Sequence, residues 1–175
     1  MRSLAILLLV AFSTKLAFAQ DLDTHIVDGR LIYQHVFEGD LERPLSFIET
    51  LKGISNVREL DGVFYGDWYI HNLELRAAMR AVGLTYLQTM IFLSRPEHSS
   101  QVEFEVREGR YRVTVSDILC RFESETVSDT PIETYLLKSN GQTRPKQFGQ
   151  TRDIYNYLAT SLFSGHATTP TNDDW

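Results

Sequence analysis

Between Gln101 and Ser116 apolar and polar residues alternate in two short runs. Val102, Phe104 and Val106 alternate with Gln101, Glu103 and Glu105; after Glu108-Gly109, Tyr111, Val113 and Val115 alternate with Arg112, Thr114 and Ser116. A period of two belongs to a strand with one buried face. An acidic residue followed by Gly between two such runs predicts a two-residue hairpin turn. Pairing Arg107 with Arg110 sets Val106 opposite Tyr111, Phe104 opposite Val113 and Val102 opposite Val115. The same register places Glu105 opposite Arg112 on the other face. A slip of one residue destroys both matches, so the register is well specified. Arg107 facing Arg110 is its local cost.

The remaining elements rest on weaker patterns. Arg30 to Phe37 is rich in β-branched and aromatic residues and predicts a strand, broken at Gly39-Asp40. Pro44 suits a first helical position, Leu45, Ile48 and Leu51 lie on one face at helical spacing, and Gly53 comes next as a stop. Residues 56–70 predict two strands hinged at Asp61-Gly62. The second puts Phe64, Gly66 and Trp68 on one face and Tyr65, Asp67 and Tyr69 on the other. Asn72 as N-cap, Leu75, Ala78, Met79 and Val82 at helical spacing, and Gly83 as stop predict a short extra helix near 73–82. Leu84 to Ser94 is apolar on both alternating faces towards its end and predicts a buried strand, with a continued helix as the alternative. Residues 123–148 are polar and broken by Pro131, Gly141 and Pro145, a long excursion anchored by Tyr135-Leu136-Leu137. Gln150 to Ser164 predicts a closing helix with Ile154, Leu158 and Leu162 inside and Gly165 as its cap. The sum is an α+β fold: an antiparallel sheet of about five strands packed on an N-terminal and a C-terminal helix.

The ends change the picture. Arg2, the apolar run Leu4 to Phe12 and Ala17-Phe18-Ala19 have the layout of a secretory signal peptide cleaved after Ala19. Its apolar run is too short for a membrane span, which needs about 20 residues. The expected organisation is a signal peptide at 1–19, a mobile lead-in at 20–29, a single domain at 30–164 and a disordered polar tail at 165–175. Gln20 stands where a bacterial lipoprotein has its acylated Cys, so the expected location is periplasmic or secreted, with neither membrane span nor lipid anchor. Cys120 alone makes no internal disulfide, so packing must hold the fold. The net charge of −6 argues against a nucleic-acid partner, whose phosphates call for a basic surface.

The hairpin core VEFEVREGRYRVTVSDI, a strand, the turn Glu108-Gly109, then Arg110-Tyr111-Arg112 and an alternating strand, resembles a secreted bacterial family of unknown function. That family has a TATA-binding-protein-like (TBP-like) α+β fold, and the resemblance extends over residues 28–163. It implies a fold and a compartment but no activity. The extra helix near 73–82 departs from the family.

Candidate chemistry is sparse. The histidines His25, His35, His71, His98 and His166 share no metal-ligand spacing, and no phosphate-cradling or dinucleotide fingerprint occurs, so no metal or cofactor is expected. His35 shares a strand face with Tyr33 and Phe37 and reads as partly buried. The alternation puts Cys120 out of line with Tyr111, Val113 and Val115, and nothing nearby activates it, so it reads as a structural thiol. Glu103 and Glu105 stand about 7 Å apart on one face, in the broad range of a glycosidase pair. Arg112 opposite Glu105 favours solvated carboxylates instead.

Tyr65, Asp67 and Tyr69 form the candidate ligand site, an aromatic platform for a sugar or peptide. Core packing or cover by the 73–82 helix is the competing account. The resulting expectation is an extracytoplasmic, non-enzymatic binding or interaction module for a protein, peptide or glycan. One alternative is a small hydrolase of glycans or peptides that pairs Glu103 or Asp67 with His71 or His35. The other is a protein inhibitor or envelope assembly factor working through a sheet edge or the 123–148 segment.

Overall fold

The hairpin is the middle of the sheet. In the computed structural model, which describes residues 24–39, 41–94, 96–122 and 128–164, β5 (Glu97–Arg107) and β6 (Arg110–Arg121) pair antiparallel. Phe104 faces Val113, Glu105 faces Arg112 and Arg107 faces Arg110, the register set by the alternation. The predicted signal peptide, the tail and the Gly165 cap lie outside the described residues.

Flanking strands extend the hairpin on both sides. β2 (Arg30–Glu38) pairs with β6, and β4 (Val63–Ile70) pairs with β5. The edges are β1 (Thr24–Val27) beside β2 and β3 (Ile54–Leu60) beside β4. The two-residue β7 (Thr130–Pro131) pairs with the end of β6 beyond β2. The sheet therefore has seven strands in the order β1-β2-β6-β5-β4-β3, with β7 off this path, where about five were predicted. One extra strand, β1, stands in the predicted lead-in. Its turn, Asp28-Gly29, has positive φ at both positions (50° and 79°), as the favoured two-residue hairpin turn requires. Thr24 is fully buried, and a four-residue strand offers too short a run for its period to be read.

One face of the sheet is the core. Tyr33, Trp68, Phe104, Tyr111, Val113 and Val115 are buried there, with α2 (Asn72–Ala81) and α5 (Pro145–Phe163) among the helices that supply the rest of the core. α2 packs on α5, and α5 on β1 and β2. His71, one residue before Asn72, is the N-cap of α2, and Glu74 Oε2 accepts its backbone N–H at 3.1 Å. α5 starts five residues earlier than the Gln150 of the prediction. Its buried stripe runs through Ile154, Tyr155, Ala159 and Phe163, leaving Leu158 and Leu162 half-buried. α1 (Pro44–Thr50) begins at the predicted proline and buries Ile48, whereas Leu45 is exposed.

Two segments depart from the sequence reading. Leu84 to Ser94 is no strand: turns lead into the short α3 (Ile91–Ser94), which buries Phe92 and Leu93 while Leu87 is 95% exposed. Thr85 donates to Gln88 Oε1 from its N–H (3.2 Å) and its hydroxyl (2.9 Å), and Thr89 Oγ1 donates to the Thr85 carbonyl (2.8 Å). Such local side-chain bonds favour a turn over a ladder, and β3 already occupies the place beside β4. The 123–148 excursion contains β7 and α4 (Glu133–Leu136), whose Glu133 Oε1 accepts the Leu31 N–H at 2.7 Å. Buried Ile132 and Leu136 pin that segment to the core.

Candidate functional site

The opposite face of the sheet carries the candidate site. Tyr65, Asp67 and Tyr69 all point there from β4, paired in register with Glu103, Gln101 and Ser99 of β5. The predicted alternation holds, and α2 does not cover the three: Asp67 is exposed and the tyrosines are half-buried. Asp67 and Tyr69 line a depression of about 420 Å³, with Ser55 and Asn56 from β3, Ser99 and Gln101 from β5, and Asp117, Leu119 and Arg121 from β6. Tyr65 stands outside it, with the Arg58 guanidinium 5.9 Å from its ring centroid.

Two bulges border this depression. β3 gains a residue between Ser55 and Arg58, with Asn56 at φ 53°, and the Asn56 amide donates to Asp67 Oδ2 at 2.7 Å. β6 gains a residue opposite Ser99–Gln101, with Asp117 at φ 51°. An extra residue reverses the inside-outside order of the rest of the strand. Beyond Asp117 it is therefore Ile118 and Cys120 that are buried, while Leu119 and Arg121 join the depression. This corrects the expected placement of Cys120, which lies in the core after all. Burial, helped by Glu133, pushes its thiol up to about 12, which fits a structural role.

A cluster absent from the sequence reading sits at one end of the site. Glu97 accepts a hydrogen bond from the Tyr69 hydroxyl through Oε2, and its Oε1 lies 3.1 Å from Nδ1 of His71. The Tyr69 and His71 rings meet edge-on at 4.9 Å. Extending β5 four residues before its predicted start at Gln101 brings Glu97 to this corner. The polar stretch Glu97 to Ser100 hid that extension.

The pairs that a hydrolase would need do not converge. His35 sits on the core side between Tyr33 and Phe37, its ring 4.5 Å from that of Phe37, whereas Glu103 faces the open side. Asp67 bonds Asn56, and His71 bonds Glu97. Glu103 and Glu105 are neighbours. Partial burial and the adjacent Glu105 carboxylate raise the Glu103 pKa, while the Arg112 hydrogen bond lowers that of Glu105. Carboxyl groups in mutual contact leave no room for a scissile sugar bond between them. Among the described residues no group of three His, Cys, Asp or Glu side chains is placed to hold a metal ion.

The deepest histidine belongs to the core. His98 is fully buried, Nε2 lies 2.8 Å from the Phe92 carbonyl and Nδ1 2.6 Å from the Tyr155 hydroxyl. A carbonyl only accepts, so Nε2 carries the proton and Nδ1 accepts from the phenol. Burial lowers the His98 pKa to about 4, partly offset by the Phe92 bond.

Comparison with known proteins adds two structural likenesses. The chain is similar to a TBP-like protein from Parabacteroides distasonis, at 11% identity over 82% of this chain and 96% of that one, with a TM-score of 0.46. It is also similar to a DUF4468 family protein from Bacteroides ovatus, at 13% identity over 81% of this chain and 91% of that one, with a TM-score of 0.39. The first description names the TBP-like fold expected from the hairpin resemblance, and the second names a family of unknown function. No family model and no curated protein matches the sequence. Among the described residues no helix is long and apolar enough to cross a membrane.

Proposed function

We propose that the protein is an extracytoplasmic, non-enzymatic binding module whose ligand occupies the depression lined by Asp67 and Tyr69. The observation that carries this reading is the lining itself. Set on the face of the antiparallel sheet that no described helix covers, it combines one phenol ring with two carboxylates, two amides, serine hydroxyls and a guanidinium. Such a surface suits a hydroxyl-rich ligand, which lays its C–H face on the ring and exchanges hydrogen bonds with the polar groups. At about 420 Å³ the space suits one or two sugar rings. A glycan is therefore the favoured ligand class, and Tyr65 with Arg58 extends the platform beyond the depression. Export, to which the leader sequence points, would bring the site to envelope or extracellular glycans.

The Glu97–His71 pair is the one feature that favours a hydrolase. A carboxylate orienting an imidazole supplies the base half of a nucleophilic site. Among the described residues, however, no nucleophilic hydroxyl or thiol is hydrogen-bonded to His71, and Cys120 is buried in the core.

Calorimetric titration of the protein, from Gln20 onward, with a panel of neutral oligosaccharides tests the proposal. Binding by the wild type that D67A and Y69A each weaken at least about tenfold, while E103Q leaves it unchanged, is expected. Full binding by the D67A/Y69A double variant overturns the site. Turnover of an oligosaccharide that H71A abolishes overturns the non-enzymatic reading.

A further inference from the structure

A second concavity, of about 220 Å³, lies on the same face at the turn end of the hairpin, lined by Val36, Glu105, Arg107, Arg110, Tyr111 and Arg112. It shares no residue with the depression, and Glu105 lies four residues, about 13 Å along β5, from Gln101. Three guanidinium groups meet one carboxylate here, in a chain whose net charge is −6. Arg107 and Arg110 stand directly opposite one another, an unfavourable cross-strand pair. Among the described residues neither forms an ion pair, although Glu38 faces Arg110 in the register of β2. Arg112 bonds Glu105 through one terminal nitrogen, and its Nε is buried with no acceptor. A buried donor of a charged group without a partner is costly.

We propose that this concavity binds a tetrahedral oxyanion, a phosphate or sulfate group, free or as a monoester. Seated between Arg107 and Arg110, such a group accepts from both planar forks and relieves their repulsion. The two negative charges of free sulfate, free phosphate or a phosphate monoester balance the excess of three guanidinium groups over one carboxylate, and the single charge of a sulfate monoester leaves one uncancelled. The space holds one such group and a few waters, each water occupying about 30 Å³ in the liquid.

The test is calorimetric titration of the full protein with inorganic sulfate and phosphate, and with glucose 6-sulfate and glucose 6-phosphate, at an ionic strength held constant with chloride. Saturable binding by the wild type is expected, with R110Q weaker and R107Q/R110Q weaker by about tenfold or more. The double variant should melt no lower than the wild type in chloride, because its opposed charges are gone. Tighter binding of the monoesters identifies an ester-bearing ligand, and equal binding of the free ions identifies the free anion. A wild-type response no greater than that to chloride, or undiminished binding by R107Q/R110Q, overturns the proposal.

Discussion

Phe104 meets Phe163 edge to face, with ring centroids 5.5 Å apart and planes at 85°. The contact joins the middle of the sheet to the last turn of α5, where the Tyr111 hydroxyl also donates to the Phe163 carbonyl. Both rings are fully buried. Phe104→Ala is therefore expected to cost about 3–5 kcal/mol, through lost transfer energy and the cavity left behind. Glu105→Ala, on the other face of the same strand, should cost under about 1 kcal/mol, as an ion pair open to water contributes little. Urea denaturation of the two variants, in otherwise identical buffer, measures the contrast.

Gly53 is required where it stands. Its φ is +80°, and an added Cβ would lie 2.5 Å from the Tyr69 carbonyl oxygen, beside the 2.8 Å bond from the Tyr69 N–H to the Gly53 carbonyl. Gly53→Ala should cost about 2–4 kcal/mol, combining left-handed backbone strain with displacement of β4. Gly109→Ala has the same sign of φ and nothing within 4 Å of the new atom, so about 1–2 kcal/mol is expected. Thermal denaturation ranks the pair.

His98 makes stability depend on pH in a defined window. The folded protein holds it neutral down to about pH 4, whereas an unfolded chain protonates it near 6.5. Between those values the unfolded state binds more protons, so stability is lost as pH falls, by about 3 kcal/mol from this group. H98Q should show a shallower slope of unfolding free energy against pH between 6.5 and 4, by up to about one proton. Denaturation midpoints taken across that range measure it.

Cys120 should be silent in the native state. It is fully buried and its thiol is pushed up to about 12, so almost no thiolate exists at pH 8. An aromatic disulfide reagent is expected to label it only as fast as the protein unfolds, with the rate rising steeply in urea. Rapid labelling in native buffer would mean that β6 opens locally.

The legible parts of this fold are those where two signals agree. Val102 to Val115 combined an alternation with a turn dipeptide, and the pairing of Phe104 with Val113 comes directly from them. Asn72 to Gly83 combined a start, a period and a stop, and α2 lies there within one residue. Leu84 to Ser94 had apolar content without a period, so the turn held by Thr85 and Gln88 was invisible. For the site, alternation sufficed to aim Tyr65, Asp67 and Tyr69 at the open face. Glu97 and Arg121 arrive from strand ends that nothing in their own neighbourhoods announces. The arginines were in view from the start, but only as a cost of the register.

The extra residue at Asp117 behaves as a frameshift within a two-letter code. Everything before it on β6 is spelled inside on odd numbers, and everything after it on even ones. Deleting that one residue would return Leu119 and Arg121 to the interior and turn Ile118 and Cys120 out to water, a change far larger than most single substitutions. Distant relatives aligned without a gap at this point would have core and surface exchanged along the rest of the strand. A gap of one, placed there, is the first thing to look for when the residues lining the depression are compared between such chains.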